Sequence, residues 1–389
     1  MANTLTGLIP TLYESLDVVS REMVGFIPAV TRNSSAERAA LNQVIDVPVT
    51  QAQTAADNTP AVTPPNTGDQ TVGTVPMTIS KSKHVPIRWN GEEQRGAINA
   101  GWYGGLLMNQ FTQAFRTLVN LVEIDLATTT YQNASRAYGT AGTAPFAVAA
   151  DLSDIAQVRK ILDDNGCPQT DLQLVCNSAA VANLRGKQSI LLKVNESGSQ
   201  ALLRRGSITD VPLEGFDLHN SAALTLVTKG TGTGYVTSGA TAQGVSSIAL
   251  VTGTGTVNAG DIVTFAADTN NKYVNNVGVA APGTISIGAP GALVAIGSGN
   301  ALTVGNSYTP NMAFSKSAVQ LITRTPQMPI GPDGKAMDMA DDVMDITDPV
   351  SGITFQIAVY RQFMQLSYHV RLAWGAQAIK SNHIATLLG

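Results

Sequence analysis

The sequence predicts an α+β protein, and three features indicate this class. Residues 104–131 have the apolar spacing of one long helix. The chain after residue 150 alternates between helix-like and strand-like segments. The C-terminal part contains two long alternating segments, at 353–362 and 364–379, that are typical of strands. A stretch between these regions, residues 228–310, carries almost no charge and predicts a small all-β domain inserted into the chain.

The amino-acid composition limits the classes of function that the protein can have. Of the 389 residues, 44% are hydrophobic and 13% are charged, and the charged share is about half of that in ordinary soluble domains. A surface with few charges suits burial against other subunits, because unpaired buried charges are costly. The alternative is a β-rich protein with an exposed Thr/Ser/Asn face. The net charge is −4 without a basic block, which argues against sequence-specific DNA binding and leaves weak, non-specific contact with nucleic acid open.

Cysteines, the N-terminus and hydropathy point to an intracellular, reduced protein. Cys167 and Cys176 are too few for a disulfide framework, so we expect ordinary packing residues. The first basic residue follows Glu14, which is unlike a signal peptide. The uncharged run from Gly230 to Gly260 contains 22 Gly, Ala, Ser or Thr among its 31 residues. A membrane span needs about 20 largely bulky apolar residues, so we expect none here.

The N-terminal region predicts a short helix and then an extended hairpin. Leu12, Leu16, Val19 and Met23 have helical spacing within Thr11–Val24. VIDVPV and TVPMTISKSKHVPIRW alternate like two strands, and a polar segment from 50 to 73 separates them. This polar segment cannot form a core of its own, so it either moves freely or lies on a partner.

The middle of the chain predicts a long helix followed by an α+β region. One apolar stripe runs along the long helix, which would measure roughly 40 Å; its members are Leu107, Phe111, Ala114, Leu118, Val122 and Leu126. Residues 151–165 then predict a second amphipathic helix, LQLVCN a buried strand, and SAAVANLRGK a third helix.

Residues 228–310 predict several short strands. Charged residues there are limited to Lys229, Asp261, Asp268 and Lys272. The runs SSIALV, DIVTFA, KYVNNVGV, GTISIG and ALVAIG are separated by Gly, Asn and Pro, as in a small sandwich or barrel. After this region AVQLITR predicts a strand, and 331–349 predicts a loop.

The chain offers no recognisable catalytic, cofactor or metal site. His84, His219, His369 and His383 share no metal-type spacing with Cys, Asp or Glu. Asp163 and Asp164 end a helix, where solvated charge is ordinary. Five aspartates form an acidic cluster, for which a solvated loop is favoured over a Ca²⁺ site; they are Asp338, Asp341, Asp342, Asp345 and Asp348. The glycine runs GTGTGYVTSG and GTGTVNAGD precede strands, whereas a phosphate cradle precedes a helix. We therefore expect no enzyme and no cofactor.

The order of these segments resembles the major capsid proteins of tailed bacteriophages with the HK97-type fold, and more narrowly the P22 coat-protein family. Five segments carry the resemblance: LTGLIPTLYESLDVVSREMVGFIPAV, SRAYGTAGTAPF, TVNAGDIVTF, NMAFSKSAVQLITRTPQMP and YHVRLAWGAQAIKSNHIATLL.

The resemblance implies a role for each part of the chain. Residues 1–45 would be the N-terminal arm, 46–88 the E-loop hairpin, and 89–150 the P-domain with its spine helix at 104–131. Residues 151–227 would be the first part of the A-domain, 228–310 the β-rich insertion domain, and 311–389 the return strands completing the A- and P-domains.

The resemblance also implies function and partners. Copies would assemble into hexamers and pentamers of an icosahedral virion head around double-stranded DNA, inside the bacterial host cytoplasm. A scaffolding protein, a portal protein and a decoration protein would be partners, with non-specific proximity to DNA and no membrane. Two other hypotheses remain. The first is a phage tail protein, a decoration protein or a β-rich receptor-binding adhesin. The second, more remote, is a hydrolase.

Overall fold

The computed structural model describes residues 8–22, 25–49, 55, 57–60, 62–63, 73–187, 212–280, 282–332 and 337–389. Over these residues the chain forms six α-helices: α1 (Ile9–Glu22), α2 (Phe26–Ala29), α3 (Gly91–Asn99), α4 (Tyr103–Gln132), α5 (Ser153–Asp164) and α6 (Ser178–Lys187). The predictions of helices near 11–24, 104–131, 151–165 and 178–187 are confirmed. The result is a mixed α/β protein.

The strands in the first half of the described chain are β1 (Thr31–Ala39), β2 (Val44–Val49), β3 (Gly73–Thr78), β4 (Lys81–Asn90), β5 (Arg136–Gly139), β6 (Leu172–Cys176), β7 (Phe216–Asn220), β8 (Val236–Thr237), β9 (Ser247–Val251) and β10 (Thr256–Val257). Those in the second half are β11 (Ile262–Phe265), β12 (Asp268–Val274), β13 (Val279–Ala280), β14 (Thr284–Ser286), β15 (Leu302–Val304), β16 (Pro310–Ser315), β17 (Val319–Pro326), β18 (Asp342–Thr347), β19 (Thr354–Gln362), β20 (Gln365–Ala378) and β21 (Ile384–Leu388).

A six-stranded sheet carries the long helix on one face. Its order is β1-β17-β20-β19-β18, and β4 pairs along the other edge of β20. The apolar stripe of α4 packs on this sheet: the Phe111 ring lies 5.5 Å from Tyr368 and the Phe115 ring 5.0 Å from Phe355. Burial of this face gives the long helix a tertiary support that its sequence alone would not supply.

An eight-stranded sheet joins distant parts of the sequence. Its order is β15-β11-β12-β5-β21-β16-β6-β7. Helices α5 and α6 bury their apolar residues against it, with Ile155, Leu162 and Leu184 at 2% exposure or less. Strands β11, β12 and β15 extend a sheet whose other strands lie before residue 228 or from residue 310 onward.

Residues 228–310 have an apolar cluster of their own. It includes Tyr235, Ile248, Phe265, Tyr273 and Ile285. Val227 and Tyr308, at the two ends of the segment, meet as a β-bridge, so its entry and exit lie side by side. This arrangement is what an insertion requires, and the domain boundaries 228–310 remain a prediction.

Two predictions from this part of the sequence are wrong. ALVAIG (292–297) is not a strand, because it meets its neighbour only at the single bridge Thr241–Ile296. The predicted loop 331–349 contains β18, which pairs with β19 over six residue pairs. Met344 and Ile346 face the core there, while Asp342 and Asp345 make the segment look like a polar loop in the sequence.

The predicted hairpin is confirmed, with one correction. Strands β2 and β3 pair antiparallel from Val44–Thr78 to Val49–Gly73. The return segment is not one strand, because it divides near Ile79 into β3, which pairs only with β2, and β4, which joins the six-stranded sheet. Most of the polar segment between β2 and β3 lies outside the described residues.

Candidate functional site

The four histidines are brought together in one pair only. The rings of His84 on β4 and His369 on β20 stack at 5.0 Å, and Tyr360 lies edge-on 5.0 Å from His369. Burial, followed by the neighbouring His84, lowers the pKa of His369, while Asp338 opposes the shift. A neutral ring in a cross-strand stack accounts for this residue without a ligand. His219 lies elsewhere, 2.8 Å from Gln173 Oε1, and His383 is buried near Lys380.

The five clustered aspartates do not converge. Asp338 accepts hydrogen bonds from Tyr360 (2.7 Å) and Arg371 (3.1 Å), and Asp341 pairs with Arg361 at 2.6 Å. Asp345 accepts from Gln356 on β19. In the ranges that the structure describes, no three His, Cys, Asp or Glu side chains are grouped to hold a metal ion.

Asp348 corrects the prediction of a solvated acidic loop. Its side chain is fully buried and accepts hydrogen bonds from the backbone N–H groups of Val350 and Ser351, both at 3.1 Å. The carboxylate thus organises the turn between β18 and β19. Asp163 and Asp164, by contrast, form exposed ion pairs with Arg159 (3.8 Å) and Lys160 (3.7 Å).

Both cysteines are buried free thiols. Burial raises the pKa of Cys167 to about 11 and that of Cys176 to about 12. Each thiol therefore stays protonated at neutral pH and is a poor nucleophile.

The backbone geometry explains why glycine occupies two positions of GTGTVNAGD. Gly253 and Gly255 have φ angles of 78° and 86°. A Cβ at Gly255 would lie 2.4 Å from the Thr231 carbonyl oxygen, and one at Gly253 would lie 2.8 Å from that of Thr233. These glycines allow two backbone segments to approach closely, and the chain continues into β10 and β11. A phosphate cradle would instead lead into a helix.

The ribbon formed by β2 and β3 is a two-stranded sheet that pairs with no other described strand. A two-stranded ribbon is marginally stable alone. Its root packs on the six-stranded sheet, where Met77 and Ile79 contact Ile322 and Ala373. Beyond the root the side chains alternate between exposed and half-buried. This element is therefore the candidate site for contact with another subunit.

Glu123 holds the N-terminal segment to the long helix. Its two carboxylate oxygens accept hydrogen bonds from the backbone N–H groups of Phe26 and Ile27, each at 2.9 Å, and Ser221 Oγ donates to the same group at 3.2 Å. Burial raises the pKa of this carboxyl, although the three hydrogen bonds oppose the shift. Glu123 was not among the residues predicted from the sequence; the available signal was its place beside Val122, at the margin of the apolar stripe.

A groove of about 420 Å³ runs beside α4, with Val19, Arg116, Asn120 and Ser221 among its lining residues. Glu123 also borders it, but that carboxylate is already engaged by three donors. Among the described residues that line the groove, Glu123 supplies the one carboxylate, and its oxygens are occupied by these donors. Among the described residues, none of the helices combines the length and apolar character needed to cross a membrane.

Comparison with known proteins gives matches at the level of structure only. No family model matches the sequence, and no curated protein matches it. A chain from Mycobacterium phage Che8 is 14% identical, with a TM-score of 0.44, and the match covers 89% of this chain and 84% of that one. The capsid structure of the cyanophage P-SCSP1u gives 11% identity, a TM-score of 0.46, and coverages of 92% and 86%.

The virus-like particle from Pyrococcus furiosus is 9% identical, with a TM-score of 0.44 and coverages of 97% and 98%. All three similarities have TM-scores below 0.5, and none of them assigns a function to this chain.

Proposed function

We propose that this protein is the major capsid protein of a tailed bacteriophage, with the HK97-type fold. Copies of it would form the hexamers and pentamers of an icosahedral head that encloses double-stranded DNA. The observation that carries the proposal is the ribbon β2–β3, which pairs with no further strand in the described chain and needs another surface to cover it. The ordered set of segments resembling coat proteins supports the same function.

The arrangement of the chain supports the assignment of parts. Residues 46–88, with the ribbon, would be the E-loop, and α4 would be the spine helix of a P-domain at 89–150. Residues 151–227 would begin the A-domain, 228–310 would be the inserted domain, and 311–389 would complete both. We also propose that this inserted domain corresponds to the insertion domain of the P22 coat-protein family.

Partners and location follow from the proposed function. Many weak contacts repeated by symmetry stabilise a closed shell. A scaffolding protein, a portal protein and a decoration protein would join the coat subunits, with assembly in the bacterial cytoplasm and the virion as the final location. The net charge of −4 suits a container that holds DNA without gripping it.

The 30-residue helix α4 favours a shell subunit over the alternatives. Tail-tube, decoration and adhesin proteins built from strands have little use for a single long helix packed across a sheet. A hydrolase would need a nucleophile beside a base, and the described histidines and cysteines do not supply such a pair.

Electron microscopy of the purified protein tests the proposal. Negatively stained wild-type protein, expressed alone and with its scaffolding protein, is expected to show shells or capsomer-sized rings. Sedimentation velocity on the same samples should show large species in equilibrium with subunits. A protein that stays monomeric at high concentration, with and without scaffold, would exclude the shell function.

A further inference from the structure

We infer that His383 is a pH-sensitive latch inside the subunit. With a neutral ring it keeps the turn between β20 and β21, residues 381–384, closed on three neighbouring elements, and when the ring is protonated at mildly acidic pH the turn releases them. The three elements are the end of α5, the start of β5 and the loop between β14 and β15. This property belongs to the single subunit and does not depend on the proposed function.

Hydrogen bonds from two elements of the eight-stranded sheet region converge on this turn. Ser135, just before β5, donates to the Ile384 carbonyl oxygen through its backbone N–H at 2.9 Å and through its hydroxyl at 2.8 Å. Asn165, at the C-terminal end of α5, donates through Nδ2 to the Asn382 carbonyl oxygen at 2.7 Å. The acceptors lie directly before and after His383 in the chain. A movement of this residue therefore disturbs the acceptors on both sides of it.

The third element is the loop between β14 and β15. The Ala289 N–H donates to Ser381 Oγ at 3.3 Å. A Cβ on the preceding Gly288 would lie 2.6 Å from the Ala134 carbonyl oxygen, so this loop also lies directly against the chain that enters β5. The loop belongs to residues 228–310. The turn is therefore one of the places where that segment rests on the rest of the subunit.

His383 is buried at the centre of these contacts. It is 6% exposed, and its Nδ1 atom is buried without a hydrogen-bond partner in the described chain. A protonated imidazole carries a hydrogen on both ring nitrogens, and the hydrogen on Nδ1 would find no acceptor here. A buried charge without a partner is costly. The closed turn therefore favours the neutral ring.

The surrounding charges act in the same direction as burial. Burial lowers the pKa of His383, and the positive charge of Lys380 lowers it further. In the described chain no ion pair involves His383, and the two aspartates at the end of α5 already pair with Arg159 and Lys160. The other charged or titratable side chains on the elements around the turn are Arg136 on β5, Asp163, Asp164 and Cys167 at the end of α5, Asp268 on β12 and Lys316 before β17.

The pH range of the latch follows from the sign of the pKa shift. The closed subunit binds the His383 proton less tightly than the open one, because the pKa is lowered in the closed state. The contribution of His383 to closure is therefore fully present above the ordinary histidine pKa and is lost as pH falls below it. The equilibrium constant for opening should rise by up to about tenfold for each pH unit, until the lowered pKa of the closed state is reached.

Hydrogen exchange on the wild-type subunit measures the opening. Exchange is followed by mass spectrometry between about pH 7 and about pH 5, an interval that spans the ordinary histidine pKa, and is corrected for the intrinsic pH dependence of amide exchange. Protection of the peptides that contain Ser135, Ala289 and His383 should fall by about tenfold or more across this interval. Peptides from the middle of α4 should keep their protection and serve as the internal control.

A matched pair of variants assigns the effect to one histidine. His383→Phe keeps a ring in the turn and removes the titrating group. His369→Phe is the control, because burial also lowers the pKa of His369, which lies on β20 in the six-stranded sheet. The pH dependence at the turn should disappear in His383→Phe and persist in His369→Phe. If the folded His383→Phe variant loses protection in acid as the wild type does, the latch is excluded.

Two further measurements do not rely on a substitution in the core. Lys380→Met removes an exposed positive charge, so it should raise the pKa of His383 and reduce the loss of protection in acid. Titration of the wild-type histidine ring protons by nuclear magnetic resonance reports the pKa of His383 directly. A value at or above the ordinary histidine pKa would overturn the inference, even if His383→Phe fails to fold. All of these experiments use the unassembled subunit, so the absence of shells or rings contradicts the proposed function and leaves this inference unaffected.

Discussion

At the residue scale, the carboxylate of Glu123 explains how the N-terminal segment is fixed. Three donors converge on one side chain that is 9% exposed: the Phe26 and Ile27 amides and the Ser221 hydroxyl. Buried carboxylates are tolerated when their oxygens are satisfied. Because these donors come from two separate segments, Glu123 ties residues 25–27 and the segment after β7 to α4.

The variant Glu123→Gln should lower the free energy of unfolding by about 1–3 kcal/mol. A Gln side chain keeps the volume, but its amide NH₂ would face a backbone N–H that now has no acceptor. Urea unfolding of the subunit measures the change. The control is Glu14→Gln on α1, where the side chain is exposed, and a similar loss in both variants would contradict a specific role for Glu123.

The difference in unfolding free energy between the wild type and Glu123→Gln should depend on pH, and the sign of that dependence follows from the pKa of Glu123. Burial raises the pKa of Glu123 in the folded state, so the folded protein holds this proton more tightly than the unfolded chain. The contribution of this proton to the free energy of unfolding is therefore fully present below the ordinary glutamate pKa. It falls as pH rises through the raised pKa of the folded state. The stability of the wild type relative to Glu123→Gln should decline with rising pH over that interval, measured by urea unfolding at a series of pH values.

At the scale of the element, local pattern was sufficient for the long helix and for the two long C-terminal strands. The stripe from Leu107 to Leu126 predicted α4, and alternation predicted β19 and β20, because each lies on the core of the six-stranded sheet. Strand β1 has the polar sequence TRNSSAERA and could not be predicted this way. It forms because β17 offers it a parallel pairing partner almost 290 residues later in the chain.

The tight turn before β10 supports a prediction at this scale. Gly255→Ala should destabilise the region around residues 231–257 by about 1–3 kcal/mol, because the backbone has positive φ and the Cβ would collide with Thr231 O. Thermal unfolding monitored by circular dichroism measures the loss. Gly297→Ala is the matched control, since its Cβ would meet nothing within 4 Å. Equal melting temperatures for the two variants would contradict the close approach described here.

At the scale of the whole molecule, the two large sheets and α4 form the main apolar core, and the ribbon lies largely outside it. The main apolar core lies between α4 and the six-stranded sheet and also includes residues of the eight-stranded sheet, such as Met312, Phe314 and Ile384. In the described part of the chain, the ribbon packs on the rest of the subunit at its root, where Ile45, Val47 and Met77 join the cluster that contains Ile322 and Ala373. A subunit built this way can lose the distal part of the ribbon and keep its core.

Deletion of residues 52–72 should therefore leave the subunit folded and weaken or abolish assembly. The unfolding transition should remain cooperative, with a midpoint close to that of the wild type, while electron microscopy shows few or no shells. A variant with the same residues in scrambled order is the control for chain length. Normal assembly of the truncated protein would contradict the E-loop assignment of residues 46–88.

Local sequence pattern was enough to predict the long helix, the antiparallel hairpin, the terminal strands and a glycine run that does not bind phosphate, because each depends on periodicity or turn chemistry within a few residues. The tertiary structure alone decided three other matters: the pairing of β1 with β17, the extension of the eight-stranded sheet by β11, β12 and β15, and the engagement of Glu123. Each of these joins residues far apart in the chain. Contacts of that kind arise from which surfaces meet on folding, and local sequence pattern does not encode them.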